Sequence, residues 1–222
     1  MGLIVGVDEA GRGCVIGPLV VCAFAIEEEK EQQLHVDGVR DSKVLAVSTR
    51  QRLHKELSKG KFAVAKVTAK ELSELMGKRK NLNDIEASAM AKAIKELEEK
   101  HDGITRIFID SPDAVKGRFE KRLRAFYKTK APVVAENKAD SRYPVVGAAS
   151  IIAKEEREKE IAAIKKKVGF DFGSGYSHDE VTIAYLDKAL KEKKHPINEF
   201  VRHSWETAKR LKVTQVKLGE YA

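Results

Sequence analysis

The chain has 222 residues, of which 42% are hydrophobic, and its net charge is +8. This composition fits a globular protein with one sizeable core and excludes a disordered chain. No apolar run in the sequence approaches the ~18 residues that a membrane span needs. The amino terminus leads directly into an apolar segment without signal-peptide features, so we expect a cytoplasmic protein. Cys14 and Cys22 are too few for a disulfide framework and lack zinc-site spacing.

The positive charge is concentrated in the second half of the chain. Residues 1–110 carry 18 Lys and Arg against 18 Asp and Glu, whereas residues 111–222 carry 24 against 16. A basic region is typical of proteins that bind nucleic acid. A solvated surface of a thermostable protein would give the same composition, so charge alone leaves both interpretations open.

Hydrophobic patterning predicts five strands with helices between and after them. The predicted strands cover 3–7, 19–26, 61–67, 106–110 and 133–135, and the predicted helices cover 50–57, 83–99, 143–167, 180–191 and 205–211. Asn83 is predicted to cap the second helix, because Glu86 follows at capping-box spacing. We expect the first three strands to form an antiparallel meander and the last two to join through helical crossovers, which gives a mixed sheet.

Carboxylates stand at the ends of two apolar strands. Asp8 and Glu9 end the first, Asp110 ends the fourth, and Asp140 precedes the long helix. Crowded carboxylates repel one another and resist burial, and bound divalent cations remove that cost. Oxygen ligands select Mg²⁺ or Mn²⁺, and two such ions can hydrolyse a phosphodiester. For a single acid, Asp140 above all, a helix cap or a surface position is an equally good interpretation.

Five motifs, in order along the chain, resemble those of the ribonuclease HII family. They are Gly-Val-Asp-Glu-Ala-Gly-Arg-Gly at 6–13, Asp-Ser-Lys at 41–43, Ile-Asp at 109–110, the block from Asn137 to Lys154, and Gly-Ser-Gly-Tyr at 173–176. Trp205 in a late helix fits the archaeal-type branch. Five motifs in register make the resemblance specific.

The resemblance implies an α/β fold, with an RNase H-like mixed five-stranded sheet flanked by helices. It implies a catalytic domain over 1–168 and a helical C-terminal region over 169–222 that completes the substrate cleft. It also implies a metal-dependent endonuclease whose catalytic and metal-binding residues, on two Mg²⁺ or Mn²⁺ ions, are Asp8, Glu9, Asp110 and Asp140.

The implied substrates are RNA/DNA hybrids and single ribonucleotides embedded in duplex DNA. Cleavage on the 5′ side of the ribonucleotide would leave 3′-hydroxyl and 5′-phosphate ends, as ribonucleotide excision repair and DNA replication require. The implied substrate-binding residues are Gly11, Arg12 and Gly13 at the ribonucleotide, Tyr176 on the adjacent deoxyribose, and Lys43 and Lys154 on phosphates. A Gly-rich turn allows close approach to a sugar whose 2′-hydroxyl marks RNA. A buried loop aromatic and surface salt bridges are the alternatives for Tyr176 and for the two lysines.

Three positions depart from the family pattern. Asn137 stands where many relatives have His, and we expect this to alter rate or pH dependence. Cys14 stands where Pro is common, and Ser177-His178 where Pro-Ser is usual. We interpret His178 as a loop residue and not as a replacement base.

The last eight residues resemble a sliding-clamp peptide through Gln215, Leu218 and Tyr221. Ala222 replaces the second aromatic residue of that peptide, and losing one anchor removes much of such an interface's affinity. A frayed terminus is the favoured interpretation and a weak clamp contact the alternative.

Other functions remain open at this point. Another nuclease or integrase with an RNase H-like core would lack the Gly-Arg-Gly and tyrosine motifs, and type HIII ribonuclease carries an extra N-terminal domain. A non-catalytic nucleic-acid-binding module with the same core would bind without cutting. Nothing in the sequence demands more than a monomer.

Overall fold

A mixed five-stranded sheet organises the chain in the computed structural model, which describes residues 2–39, 45–192 and 194–219, with side chains as far as residue 212. The strands are β1 (Leu3–Ala10), β2 (Leu19–Glu27), β3 (Lys61–Val67), β4 (Ile104–Asp110) and β5 (Val133–Glu136). Their order in the sheet is β3-β2-β1-β4-β5. β1 is antiparallel to β2 and parallel to β4, which is parallel to β5. The predicted mixed sheet is confirmed.

Helices connect and follow the strands. Within the described residues they are α1 (Glu31–Val36), α2 (Val47–Leu57), α3 (Ala69–Gly77), α4 (Leu82–Lys100), α5 (Arg118–Phe126), α6 (Pro144–Val168), α7 (Glu180–Ala189) and α8 (Glu206–Gly219). Short 3₁₀ turns cover Glu28–Lys30, Ala139–Ser141 and Pro196–Phe200. Among the helices in these described ranges, none combines the length and the apolar character that crossing a bilayer requires.

Sequence patterning placed the strands better than the helices. The third strand has the predicted bounds, whereas α1, α3 and α5 were not predicted. The connection from β2 to β3 contains α1 as well as α2, which corresponds to the helix predicted over 50–57. α3 had a local signal, because Thr68 and Glu71 form a capping box at its start.

The predicted cap of α4 was wrong. The cap is Asn81, whose side chain accepts a hydrogen bond from the Asp84 backbone N–H at 2.9 Å. Asn83 lies inside the first turn, and its Nδ2 donates to Asp113 Oδ1 at 2.9 Å. Both asparagines suit a cap by residue type, and the tertiary partner Asp113 engages the second.

The described chain divides into two compact units. The first, here the sheet unit, comprises Met1–Ala10, Val20–Lys66 and Asn81–Glu156, and the second, here the helical unit, comprises Gly11–Leu19, Val67–Lys80 and Arg157–Ala222. Each has its own apolar cluster, with Phe108 and Ile152 among the residues of one and Phe172 and Leu186 among those of the other. The predicted domains, 1–168 and 169–222, remain a prediction.

Within the sheet unit, β1 packs directly on the first turn of α6. Leu3 to Asp8 are all buried, as expected for a central strand covered on both faces. A Cβ atom at Gly6 would lie 2.2 Å from the Val145 carbonyl oxygen, so only glycine permits this approach. The close approach places the end of β1, with Asp8, against the helix that follows Asp140.

Candidate active site

Three carboxylates from distant parts of the sequence meet at one edge of the sheet. Asp8 lies on β1, Asp110 is the last residue of β4, and Asp140 lies in the 3₁₀ turn that follows β5. Because β1, β4 and β5 run parallel, their carboxyl ends share an edge. One oxygen of each carboxylate lies within 4.8 Å of the others, which is the spacing of a candidate metal site.

Backbone hydrogen bonds fix the three acids relative to one another. The Ala139 N–H donates to Asp110 Oδ1 at 2.9 Å, which ties the turn carrying Asp140 to the end of β4. The Tyr143 N–H donates to the Ala139 carbonyl at 2.8 Å and leads the turn into α6. Asp8 Oδ1 accepts from the Glu9 N–H at 2.7 Å. The site is therefore held by the chain itself.

The electrostatics of the cluster disfavour an uncompensated charge. Burial raises the pKa of Asp8 well above its ordinary value, and the charges of Glu9 and Asp110 raise it further, while a hydrogen bond from the Ser150 side chain lowers it. Asp8 and Asp140 are each 4% exposed. A hard divalent cation prefers carboxylate oxygens and would neutralise this crowding. The donor set therefore fits Mg²⁺ or Mn²⁺.

Glu9 is not one of the three clustered acids. Glu9 directly follows Asp8 on β1 and is partly buried. Its charge nevertheless acts on Asp8, as the raised pKa shows. The structure thus brings together three of the four predicted ligands and leaves the fourth adjacent to them.

Ser150 is a site residue that the sequence reasoning did not single out. It lies on α6 and contributes the hydrogen bond to Asp8. Lys154, a predicted phosphate ligand, follows four residues later and so shares the helix face of Ser150. The available signal was one polar residue in the buried stretch 145–153 of the helix. Lys43, the other predicted phosphate ligand, lies outside the described residues.

The segment 11–17, which begins with the predicted ribonucleotide-binding residues 11–13, and the predicted tyrosine loop 173–176 are joined within the helical unit. The backbone N–H groups of Val15 and Ile16 both donate to the Gly175 carbonyl, at 2.9 and 3.1 Å. Cys14 and Tyr176 form an isolated antiparallel bridge. The loop that carries Gly11, Arg12 and Gly13 is therefore held against the loop that carries Tyr176.

The glycines of the first loop have different physical roles. Gly11 has φ of 85°, and a Cβ there would lie 2.7 Å from the Pro18 carbonyl oxygen. Gly13 is exposed, and a Cβ there would meet no atom within 4 Å in the described structure. The first glycine is needed for the turn, whereas the second leaves backbone open to an approaching sugar.

Two buried arginines hold these loops, and the sequence reasoning missed both. Arg157 lies with its guanidinium carbon 4.6 Å from the Tyr176 ring centroid, and its Nη2 donates to the Ser174 carbonyl at 2.6 Å. Arg202 donates from Nε to the Gly17 carbonyl and from Nη1 to the Arg12 carbonyl, at 2.9 and 3.0 Å.

Burial lowers the pKa of Arg202 to about 10. Both arginines are 1% exposed or less, which is unusual for charged residues. Their burial marks them as structural residues, but burial of a charged side chain cannot be inferred from the local sequence.

Tyr176 is partly buried, and burial, followed by the neighbouring Cys14, raises its pKa to about 12. Arg157 covers one side of its ring, and the ring of His178 lies 5.3 Å away between centroids. The hydroxyl hydrogen-bonds Cys14. Tyr176 is thus a fixed aromatic platform.

Asp179 shapes the tyrosine loop from the start of α7. Its Oδ2 accepts from the Ser174 N–H at 2.5 Å and from the Ser174 hydroxyl at 2.6 Å, and its Oδ1 accepts from the Val181 N–H at 3.0 Å. These hydrogen bonds hold the pKa of Asp179 well below its usual range, and those from Ser174 have the largest effect.

We expect Asp179→Asn to lower the free energy of unfolding at neutral pH by about 1 kcal/mol or more, because the amide N–H₂ would face the donors of Ser174. The carboxylate stabilises the fold at pH values above its unfolded pKa of ~4, and this contribution is lost as pH falls through the lower folded pKa. Denaturant unfolding should therefore show a difference in the free energy of unfolding between the wild-type protein and the variant that is smaller near pH 2 than at pH 7. An equal difference at both pH values would contradict a stabilising role of the Asp179 charge.

The departures from the family pattern have modest structural roles. The Asn137 side chain donates from Nδ2 to the Ser111 carbonyl at 3.1 Å, between the segments that follow β5 and β4. Its hydrogen bond joins the residue after Asp110 to the segment that leads to Asp140. Its predicted effect on rate or pH dependence stays a prediction, as does the interpretation of His178.

Comparison with known proteins gives one consistent result. The family model described as Ribonuclease HII matches residues 5–208. A ribonuclease HII of Methanocaldococcus jannaschii is 42% identical over 229 residues, covering 97% of this chain and 98% of the relative. The ribonuclease H2 structure from Pyrococcus horikoshii has a TM-score of 0.83 and 38% identity, covering 96% of this chain and 98% of that one.

A second solved structure, of the complex between PCNA and ribonuclease HII from Archaeoglobus fulgidus, has a TM-score of 0.80 and 41% identity, covering 92% of this chain and 95% of that one. Fold, sequence and carboxylate cluster therefore agree. The chain belongs to the ribonuclease HII family and is a metal-dependent ribonuclease H, an endonuclease.

Proposed function

We propose that this enzyme cuts the RNA strand of RNA/DNA hybrids and also incises duplex DNA on the 5′ side of a single embedded ribonucleotide. Water adds to the phosphorus and the P–O3′ bond breaks, so the upstream strand ends in a 3′-hydroxyl and the ribonucleotide keeps a 5′-phosphate. Such incision would serve ribonucleotide excision repair and replication. The observation that carries the proposal is the convergence of Asp8, Asp110 and Asp140 within 4.8 Å.

The metal-binding residues in this proposal are Asp8, Asp110 and Asp140, with Glu9 as a fourth ligand from the adjoining position on β1. Two divalent ions, Mg²⁺ or Mn²⁺, would activate the attacking water and stabilise the leaving oxygen. The residues present fit this role, because the buried carboxylates repel one another without a cation and offer only hard oxygen donors. Ser150 orients Asp8, and Ala139 orients Asp110 through its backbone N–H.

The ribonucleotide-recognition residues in this proposal are Gly11, Arg12, Gly13 and Tyr176. Gly11 directly follows β1 and lies three residues after Asp8, so chain connectivity alone keeps it within about 11 Å of the Asp8 Cα. Exposed backbone at Gly13 can approach the 2′-hydroxyl, which is the only group that marks RNA at a given position. Tyr176 stacks on the next deoxyribose, and Lys154 holds a phosphate. Lys43 is proposed for the same task by family resemblance alone.

A duplex DNA with one ribonucleotide tests the proposal. We expect Mg²⁺-dependent incision 5′ to the ribonucleotide, suppressed by chelator, with a product that a polymerase extends without phosphatase treatment. An all-DNA duplex and an RNA/DNA hybrid of equal length are the matched controls. Cutting of the all-DNA duplex would favour a general nuclease, and binding of the ribonucleotide duplex without cutting would favour a non-catalytic module.

A weak clamp contact is the proposal for the C-terminal tail. The A. fulgidus relative forms a complex with PCNA, whereas the side chains of Gln215, Leu218 and Tyr221 lie outside the described residues. If the tail docks on a sliding clamp, Leu218→Ala should weaken binding to that clamp in calorimetry without changing incision of free duplex. Equal clamp binding by both proteins would leave the frayed-terminus interpretation.

A further inference from the structure

The segment around α5 carries an unbalanced positive charge. The sheet unit as a whole is nearly neutral, with 23 Lys and Arg against 22 Asp and Glu. Within residues 114–130, however, seven basic residues face one acidic residue. Charge this concentrated is a local feature of one helix and its flanks and does not follow from overall composition.

Two of these seven cations are used inside the protein. Arg122 pairs with Asp84 and with Asp113, the latter at 3.1 Å. Arg124 pairs with Glu120 at 2.9 Å and donates to the Thr129 carbonyl at 3.1 Å. These contacts, with buried Phe119 and Leu123, dock α5 firmly.

The other five cations face solvent. They are Lys116, Arg118, Lys121, Lys128 and Lys130, all exposed, and none pairs with a carboxylate in the part of the chain that the structure describes. Arg118 and Lys121 are three residues apart and share the helix face opposite Phe119. We call these five residues the α5 basic surface.

The connectivity of the sheet places one end of this surface near the carboxylates. α5 connects β4 to the parallel strand β5, so it begins at the carboxyl edge of the sheet and returns to the other edge. Lys116 follows Asp110 by six residues, a separation of at most about 20 Å in extended chain. At 3.4 Å per nucleotide this is at most about six nucleotides, and the nine residues of α5 add the length of about four more.

We propose that the α5 basic surface binds the phosphate backbone of the substrate duplex outside the nucleotide being cut. The proposal rests on the proposed function, since a duplex held at the carboxylates must continue past one side of the sheet edge. A rigid helix with unpaired cations suits phosphate contacts, which contribute affinity without reading sequence. An acidic protein is the competing occupant.

The test uses Lys116→Gln/Arg118→Gln/Lys121→Gln in the full chain. Three duplexes each carry one ribonucleotide. The long duplex has about 16 base pairs on both sides of it, and each of the other two is shortened to about 4 base pairs on one side. The long flank is chosen to reach the α5 basic surface and the short flank to miss it. We expect the KM of the variant to rise about tenfold or more on the long duplex and on one of the shortened ones. The slope of log KM against log salt concentration should be smaller for the variant by about 2 to 3, which is about one for each lost phosphate contact.

The matched control is Lys59→Gln/Lys95→Gln/Lys100→Gln. It removes the same charge from exposed lysines of the sheet unit that already pair with Glu56, Glu99 and Glu96, at 2.6, 3.7 and 2.6 Å. We expect this variant to match the wild-type protein on all three duplexes. Thermal melting of both variants checks that each is folded.

Each outcome decides between the proposals. If the wild-type enzyme does not cut the long duplex, the proposed function fails. If it cuts and the α5 variant behaves like the control variant on every duplex, the phosphate-binding role is wrong and an acidic protein becomes the better occupant. If the KM of the α5 variant rises equally on all three duplexes, the substituted cations act at the cut nucleotide, and the proposed binding of flanking phosphates is again wrong.

Discussion

Asp8→Asn is expected to lower kcat at saturating Mg²⁺ by ~10³-fold or more, which corresponds to about 4 kcal/mol of transition-state stabilisation. Asp8 is buried, and both its burial and the charges of Glu9 and Asp110 raise its pKa. An amide offers one neutral oxygen in place of a charged carboxylate, so the bound ions lose one negative charge of compensation and a stronger ligand. Steady-state cleavage of the one-ribonucleotide duplex measures the effect.

The same variant should be more stable than the wild-type protein when both are stripped of metal. Asp8 is crowded by Asp110 and Glu9, and a neutral amide can donate to a neighbouring carboxylate where two carboxylates repel. In chelator the variant should therefore melt at a higher temperature, and added Mg²⁺ should stabilise the wild-type protein much more than the variant. A lower melting temperature in chelator, or an equal response to Mg²⁺, would remove Asp8 from the metal set.

Asp102→Asn is the control for charge alone. Asp102 is an exposed acid of the same sheet unit. Its replacement should change neither the rate nor the response of the melting temperature to Mg²⁺. The contrast separates loss of a ligand from loss of one negative charge.

Tyr176→Ala is expected to weaken cleavage at a single embedded ribonucleotide by about 10- to 100-fold, the equivalent of 1–3 kcal/mol for one stacking contact. The ring is fixed by Arg157 on one side and by the bridge to Cys14, so a sugar or base that stacks on it would meet a preorganised surface. A long RNA/DNA hybrid offers no RNA-to-DNA junction at most cut positions, so the loss there should be smaller. The ratio of kcat/KM on the two substrates measures this preference.

Tyr176→Phe is the matched control, because it keeps the ring and removes only the hydroxyl that contacts Cys14. We expect it to retain the preference of the wild-type enzyme for the junction. Equal losses by Tyr176→Ala on both substrates would indicate that the ring supports the loop and does not sense the junction.

Local patterns explain what could be predicted. An apolar run ending in acids identifies a buried strand with ligands at its end, because strand periodicity and burial act on neighbouring residues. For this reason the amino-acid pattern alone points to β1, to β3 and to the acids Asp8, Glu9 and Asp110. For Asp140, which ends no strand, the pattern left a helix cap or a surface position equally open. Helix bounds were less secure, as Asn81 and Asn83 show: both suit a cap, and a hydrogen bond to Asp113, 30 residues away, engages the second.

Contacts between distant segments explain what could not be predicted. Arg202 donates to the carbonyl of Gly17 across 185 residues, and nothing in its local sequence marks it as buried. Ser150 contacts Asp8 only because Gly6 allows β1 to approach α6.

The sequence by itself determined the family, the order of the chemical motifs along the chain and the identity of the acids, since each is written in a few contiguous residues. The tertiary structure decided which acids share a site, which side chains orient them and which cations of α5 remain exposed. Those outcomes depend on distances and burial between segments far apart in the chain, and such quantities exist only once the chain has packed.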